Sequence, residues 1–209
     1  MSQNRSHAVM AQRSEPRDSL EDFPTPCWAT RALLEHVPVI DPGQFIWEPA
    51  CNRGYMAAPL AEYGHDVWAT DVHDYGQLSK PQDFLIPLHP EPVVDWVITN
   101  PPFRLAQQFI ERALDVSLKG VAIFIRTTFL EGVGRYNNLF SKRPPTLVAQ
   151  FSERVVLHKG KVTATGSTAT AYCWIVWRHN EYNPTELIWI PPCRKQLERA
   201  SDYPAGDAR

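Results

Sequence analysis

The sequence predicts an α/β chain built on a doubly wound, mostly parallel sheet that ends in an antiparallel hairpin. Three observations predict it. Short apolar runs alternate with helical stretches through the first two thirds of the chain, the pattern of strands joined by right-handed helical crossovers. GVAIFIRTTF (Gly120 to Phe129) is a continuous apolar run, as expected of a strand buried on both faces. SERVVLHKGK and TATAYCWIVWRHN are two β-rich runs joined by a short Lys/Gly/Thr loop, which reads as a hairpin.

The elements follow in order. Residues 1–20 are polar and aperiodic and read as a disordered leader, with one domain over 21–197 and a flexible tail over 198–209. FPTPCWATRALLEHV is a loop feeding a helix, with Thr25 as N-cap and Pro26 at the first helical position. QFIWEPA is a short strand ending at Glu48-Pro49. CNRGYMAAPLAEYG is a turn and a helix closed by Gly64. Pro59 fits that helix only if it begins near Ala57 or is kinked. HDVWATDV is the second strand and ends in Asp71. A Pro-rich stretch containing QDFL comes next, and VDWVITN is a further strand. LAQQFIERALDVS is a helix with Leu105, Phe109, Ala113 and Val116 on one face. LIWI near Leu187 adds an edge strand.

Composition narrows the class. With 209 residues, 44% hydrophobic and 21% charged, the chain has the make-up of a globular protein with a full core. No apolar run is long enough to span a bilayer, and residues 1–19 carry no signal-peptide core, so a cytoplasmic location is expected. Cys27, Cys51, Cys173 and Cys193 form no C-x-x-C pair, which argues for reduced thiols over structural zinc. A net charge of −2 means that any polyanion site is a local patch. One such patch is Arg135, Lys142, Arg143, Arg154, Lys159 and Lys161, opposed only by Glu153.

The residues that carry chemistry sit at strand ends. Glu48 ends the first strand, Asp71 the second, Asp83 is placed near the third, and Asn100 ends the fourth. All fall on the carboxyl edge, where ligands bind in open α/β sheets. A dinucleotide would need G-x-G-x-x-G after the first strand, but the turn here is Cys51-Asn52-Arg53-Gly54 with one glycine. A ligand with a ribose, an adenine and an amino acid but no phosphates, S-adenosyl-L-methionine, suits the crevice better. Asn100-Pro101-Pro102-Phe103 then forms a stiff corner, because two prolines stop the strand and fix its backbone.

In the order FPTP, EPACNRG, ATD, QDF and TNPPF, the chain resembles the class I methyltransferases that act on exocyclic amines, and most of all the small phage- and prophage-type DNA N6-adenine methyltransferases. The likeness runs from about Phe23 to Trp177. It departs from the family at Asn52-Arg53, where a second glycine is usual. The resemblance implies a Rossmann-like class I methyltransferase fold and S-adenosyl-L-methionine as cofactor. Thr25 and Pro26 would hold its methionine end, with Glu48, Pro49, Ala50, Cys51 and Gly54 around the amino acid. Asp71 would hold the ribose, Asp83 the adenine amino group, and Phe84 would flank that ring.

The corner has a physical rationale for amino methylation. The lone pair of an exocyclic amine is delocalised into its ring. Hydrogen bonds from that NH₂ to the Asn100 side-chain oxygen and the Pro101 carbonyl favour a pyramidal, usable nitrogen. Pro102 stiffens the corner and Phe103 is expected to stack on the target base. In duplex DNA the adenine must be flipped out, so phosphates need holding; Arg135, Lys142, Arg143, Lys159 and Lys161 are the candidates. No inserted recognition domain is visible, so recognition falls to loops of this domain or to a second copy in a homodimer. Rival readings are an amine of RNA or of a protein glutamine, a non-catalytic nucleic-acid-binding module on the same scaffold, and a nicotinamide-dependent oxidoreductase.

Overall fold

A computed structural model describes residues 21–37, 40–76, 81–88, 92–181 and 184–203. The expected leader, residues 1–20, lies outside them. Seven strands form one mixed sheet: β1 (Phe45–Glu48), β2 (Asp66–Ala69), β3 (Val94–Thr99), β4 (Ser117–Arg126), β5 (Leu147–Phe151), β6 (Tyr172–Arg178) and β7 (Glu186–Ile190). Their order is β2-β1-β3-β4-β6-β5-β7. The first four are mutually parallel, β6 runs antiparallel to both β4 and β5, and β7 pairs parallel with β5.

Helices cover both faces. On one, α1 (Cys27–His36) and α2 (Ala57–Glu62) bring Trp28, Leu33 and Leu60 onto Ile46, Trp96, Phe124 and Trp174. On the other, α3 (Ala106–Val116) sets Phe109, Ile110 and Ala113 on Trp47, Val97, Val121 and Ile175. Residues 96–99 of β3, 120–125 of β4 and 172–177 of β6 are buried on both faces, which is why these stretches read as apolar runs. Leu105 departs from the expected apolar face. It belongs to a single helical turn, Phe103–Leu105, ahead of α3 and is 39% exposed.

Four local expectations are corrected. Pro26 is the N-cap of α1 rather than its first residue, and Thr25 makes no capping bond. Among the described residues no strand lies near Asp83, so Asn100 follows the third strand and Gly120 to Phe129 overlaps the fourth. The antiparallel partner of β6 is LVAQF, not SERVVLHKGK: residues 152–171 connect the two as a long excursion with only a His158–Lys161 bridge. The sequence GVGRYNNLF, unassigned above, forms the short helix α4 (Val133–Arg135) and a wider turn over Tyr136–Phe140. Pro59 is accommodated as anticipated, at the third position of α2, where its missing N–H has no intrahelical acceptor to lose.

Of the expected tail, residues 204–209 lie outside the described residues, while after α5 (Arg194–Leu197) Asp202 and Tyr203 are buried. Arg31 on α1, 1% exposed, takes both carboxylate oxygens of Asp202 at 2.8 Å and the Leu197 carbonyl at 2.7 Å. Glu62 of α2 completes its shell at 2.9 and 3.1 Å.

Candidate active site

The carboxyl ends of β1, β2 and β3 open into a cavity of about 530 Å³. Of the residues singled out from the sequence, Thr25, Glu48, Pro49, Ala50, Cys51, Asp71, Asp83, Phe84, Asn100 and Pro102 line it. Pro26, Gly54, Pro101 and Phe103 do not. The convergence has a simple cause: parallel strands put their C-termini on one edge, and each is followed by a turn that lifts a side chain over it.

Three polar atoms on this wall are buried without a hydrogen-bond partner among the described residues: Thr25 Oγ1, Glu48 Oε2 and Asn100 Oδ1. The Asn100 amide is oriented, because its Nδ2 donates to the Phe23 carbonyl at 2.9 Å. Its oxygen is thereby left as a fixed acceptor. Glu48 is 2% exposed. Burial first, and the nearby Asp71 second, push its carboxyl well above the usual range, against one backbone N–H from Ala57. Orphaned acceptors cost roughly 1–3 kcal/mol each when a partner is absent, more for a charged group. Three on one cavity wall make a receptor for donors.

Asp71 plays two parts. Its carboxylate accepts from the backbone N–H of Asn52 at 2.9 Å and of His73 at 3.0 Å, so it shapes the turns on either side. Burial raises its pKa while those two N–H groups oppose the shift. Each oxygen still has lone-pair capacity for a hydroxyl donor. Asp83 accepts from the Leu85 N–H at 2.9 Å, a turn that turns the chain under the cavity. Phe84 is as much core as wall: 1% exposed, it packs edge-on against Trp47 at 4.8 Å and against Phe109 at 5.0 Å.

The turn that lacks the second glycine reaches the same end with asparagine. Asn52 sits at φ 52°, in the left-handed region that Asn tolerates better than other side chains, and Gly54 follows at φ 84°. Asn52 Nδ2 then donates to Asp22 at 2.6 Å. Residues 21–23, not anticipated from the sequence apart from Phe23 in FPTP, form a strap over the mouth. Glu21 pairs with Arg104 at 2.7 Å, and Asp22 with Arg53 at 3.2 Å. The cavity also takes exposed apolar side chains from Val72 and Leu105. The position of Val72, directly after Asp71, was the sequence clue to it.

Phe103 departs from expectation. Its ring is engaged by Phe23, with centroids 5.7 Å apart, and by the Arg126 guanidinium 4.1 Å above it. The basic patch also divides. Gly160 donates its N–H to the Asp22 carbonyl at 2.8 Å, so exposed Lys159 and Lys161 flank the strap at the cavity rim. Arg135 follows β4 on the same edge, but its guanidinium is turned back to the Glu131 carbonyl and Phe129 ring. Arg143 pairs with Asp115 at 2.7 Å, at the far end of α3 and the opposite edge of the sheet, and exposed Lys142 precedes it. Glu153 is withdrawn from the patch, accepting from the backbone N–H groups of Cys193 and Arg194 at 2.6 and 2.7 Å. All four cysteines are free and buried; burial pushes Cys51 on the cavity wall up to about 12.

No protein-family model and no curated protein matches the sequence. Solved structures do resemble the fold. The methyltransferase subunit of a type I restriction-modification system from Streptococcus thermophilus superposes with a TM-score of 0.57 at 12% identity, over 87% of this chain and 50% of that one. A modification subunit of a putative type I restriction enzyme from Vibrio vulnificus gives 0.54 at 15%, over 87% and 51%. A putative RNA methyltransferase from Pyrococcus horikoshii gives 0.53 at 16%, over 79% and 91%. The chain thus spans about half the length of the first two. Likeness at such identities is a likeness of fold, and with the observed strand order and two-sided helical cover it shows that the chain adopts the Rossmann-like α/β fold of class I methyltransferases.

Proposed function

We propose that the chain is an S-adenosyl-L-methionine-dependent methyltransferase whose acceptor is the N6 amine of adenine in DNA. The observation that carries the reading is Asn100: its nitrogen is tied to the Phe23 carbonyl, and its buried oxygen waits at the cavity as an acceptor with no partner. An amide oxygen so held suits an NH₂ donor.

The chemistry of the wall fits the cofactor. When bound, S-adenosyl-L-methionine supplies an electrophilic methyl group on a sulfonium centre. The Glu48 carboxylate takes the ammonium, for which an orphaned acid is the natural partner, and Thr25 Oγ1 serves the same end. Asp71 accepts from the ribose hydroxyls. Asp83, with Phe84 and Val72, borders the adenine subsite. Asn100 Oδ1 accepts from the amine of the acceptor, and the proline corner that follows keeps it in place without reorganisation. Lys159 and Lys161 at the rim attract the phosphate backbone. The exocyclic amine of the flipped base then meets the cavity from the Asn100 side. This orientation accounts for part of the rate, since well-aligned reactants recover roughly 7–11 kcal/mol of barrier.

The test is transfer of a labelled methyl group from S-adenosyl-L-methionine to duplex DNA, single-stranded DNA, RNA and a protein extract in parallel. Asn100→Ala runs beside each. The expected label is N6-methyladenine in DNA, falling about 10²–10³-fold in the variant, with cofactor affinity retained. Label in RNA or protein alone overturns the substrate and keeps the role of Asn100. No transfer, with no cofactor binding by calorimetry, overturns the enzyme.

A further inference from the structure

Arg126 differs from the arginines that pair with acids, and like Arg112 over Phe84 it lies across an aromatic ring. Arg31, Arg104, Arg178 and Arg194 each hold a carboxylate. Arg126, half-buried at the last position of β4, holds none. Its Nε is buried with no partner, and its sole side-chain interaction among the described residues is the face of Phe103, 4.1 Å from the ring centroid. An Nε enclosed without an acceptor is costly and a ring face offsets only part of that cost, while the terminal nitrogens stay open to an incoming group. The group is therefore placed for an anion that arrives from outside.

Its position names the anion. Arg126 ends β4 on the edge of the sheet that carries Asn100, since β3 and β4 run parallel with Thr99 opposite Ile123. The ring beneath it, Phe103, belongs to the same corner as Asn100. A base that reaches Phe103 must displace either Phe23 or Arg126. Phe23 is held in place, by the Asn100 bond to its carbonyl and by the Glu21–Arg104 and Asp22–Arg53 pairs beside it. Among the described residues Arg126 is held by nothing else. It has a reason to leave only if the incoming group brings a negative charge one sugar away from a planar base, which is what a nucleotide in a strand does.

Building on the methyltransferase reading above, we propose that Arg126 is the receptor for the phosphodiester next to the target adenine. It leaves Phe103 as the nucleotide arrives, takes the phosphate oxygens through its planar fork, and frees the ring for the base. Phosphate capture and base stacking are then one event, and a free nucleobase, which lacks the phosphate, is a poor ligand.

The experiment uses the full chain and a single-stranded oligodeoxynucleotide containing the site mapped in the transfer assay. One set carries a neutral methylphosphonate in place of the phosphate on the 5′ or 3′ side of the target adenine. Arg126→Met keeps the bulk, and Arg126→Lys keeps the charge but loses the fork. The wild type is expected to lose affinity roughly ten- to a hundredfold with the neutral linkage at one of the two positions. Arg126→Met shows that loss on the ordinary strand and no further loss with the neutral linkage, and its slope of log K against log salt falls by about 0.7. Arg126→Lys is intermediate, and cofactor affinity and melting temperature stay at wild-type values. The proposal is overturned if Arg126→Met binds the ordinary strand like the wild type, or remains equally sensitive to the neutral linkage. Should the wild type itself neither bind nor methylate nucleic acid, the methyltransferase reading fails and this inference falls with it. That outcome is distinguishable because the wild type alone reveals it.

Discussion

Glu48 links the empty and occupied states of the cavity through a single proton. Burial, and then Asp71, raise its folded pKa well above the ordinary carboxylate value. An acid raised on folding binds its proton more tightly in the native state. Its contribution to stability is therefore full below the ordinary carboxylate range and is lost as pH rises through the folded pKa. The melting temperature of the free protein should fall over that window, and Glu48→Gln should flatten the fall, leaving the slope due to Asp71, which is raised in the same sense. An ammonium beside Glu48 reverses the preference. Cofactor binding below the folded pKa should then release a proton, read as a dependence of calorimetric heat on the ionisation enthalpy of the buffer. Glu48→Gln should bind more weakly and release none; proton release unchanged in that variant would remove Glu48 from the cofactor site. At this scale the wall of the cavity was legible, because Glu48, Asp71 and Asn100 end strands and strand ends converge. Phe103 was not, because the direction of a ring three residues past a strand depends on partners, Phe23 and Arg126, that come from distant parts of the chain.

Among the elements, α1 is the one whose position matters most to the cavity, since Thr25 and Phe23 hang from its start. It is fixed by its apolar face and also by Arg31, whose guanidinium joins α1 to α2 through Glu62 and to the C-terminal segment through Asp202. Asp202 is 7% exposed, so Asp202→Ala leaves a buried cation short of its bidentate partner. Breaking a buried pair costs about 3–5 kcal/mol. For a chain of this size that is a fall in melting temperature of roughly 6–20 °C. A melting curve within a degree of wild type would mean that the segment is not a structural part of the fold. The polar composition of residues 198–209 hid this anchor, because the sequence shows a charged run and not the buried arginine it faces. The strands divide in the same way. β3 and β4 announce themselves by apolar stretches, WVIT and GVAIFI, ended by Pro-Pro or a turn. β5 is five residues whose neighbour, VVLH, is just as apolar; Val155 and Val156 are buried in a connection rather than a strand, and burial without ladder pairing looks the same in sequence.

Over the whole molecule, the two edges of the sheet carry opposite assignments of the basic residues. Lys159 and Lys161 lie on an excursion of 152–171 that touches the strap at Asp22, beside the cavity. Arg143 sits at the other end of α3, neutralised by Asp115. In sequence they formed one patch, since linear distance cannot tell a residue before β5 from one after it, and a strand length separates the two. A nucleic acid presenting a base to Asn100 meets the first pair on the same edge, with Arg143 a strand length away. Lys159→Gln and Lys161→Gln should each lower the slope of log K against log salt for duplex DNA by about 0.9, and weaken binding at physiological salt without changing cofactor affinity. Arg143→Gln should leave slope and affinity unchanged. Equal effects from all three would mean that DNA wraps both edges, which the Asn100 pocket alone does not require. An effect of Arg143→Gln alone would move the nucleic acid to the amino edge and break its connection with the cavity. With the lysines dominant, the proposed phosphate contacts at the cavity rim and at Arg126 would both lie on the edge of the sheet that carries Asn100.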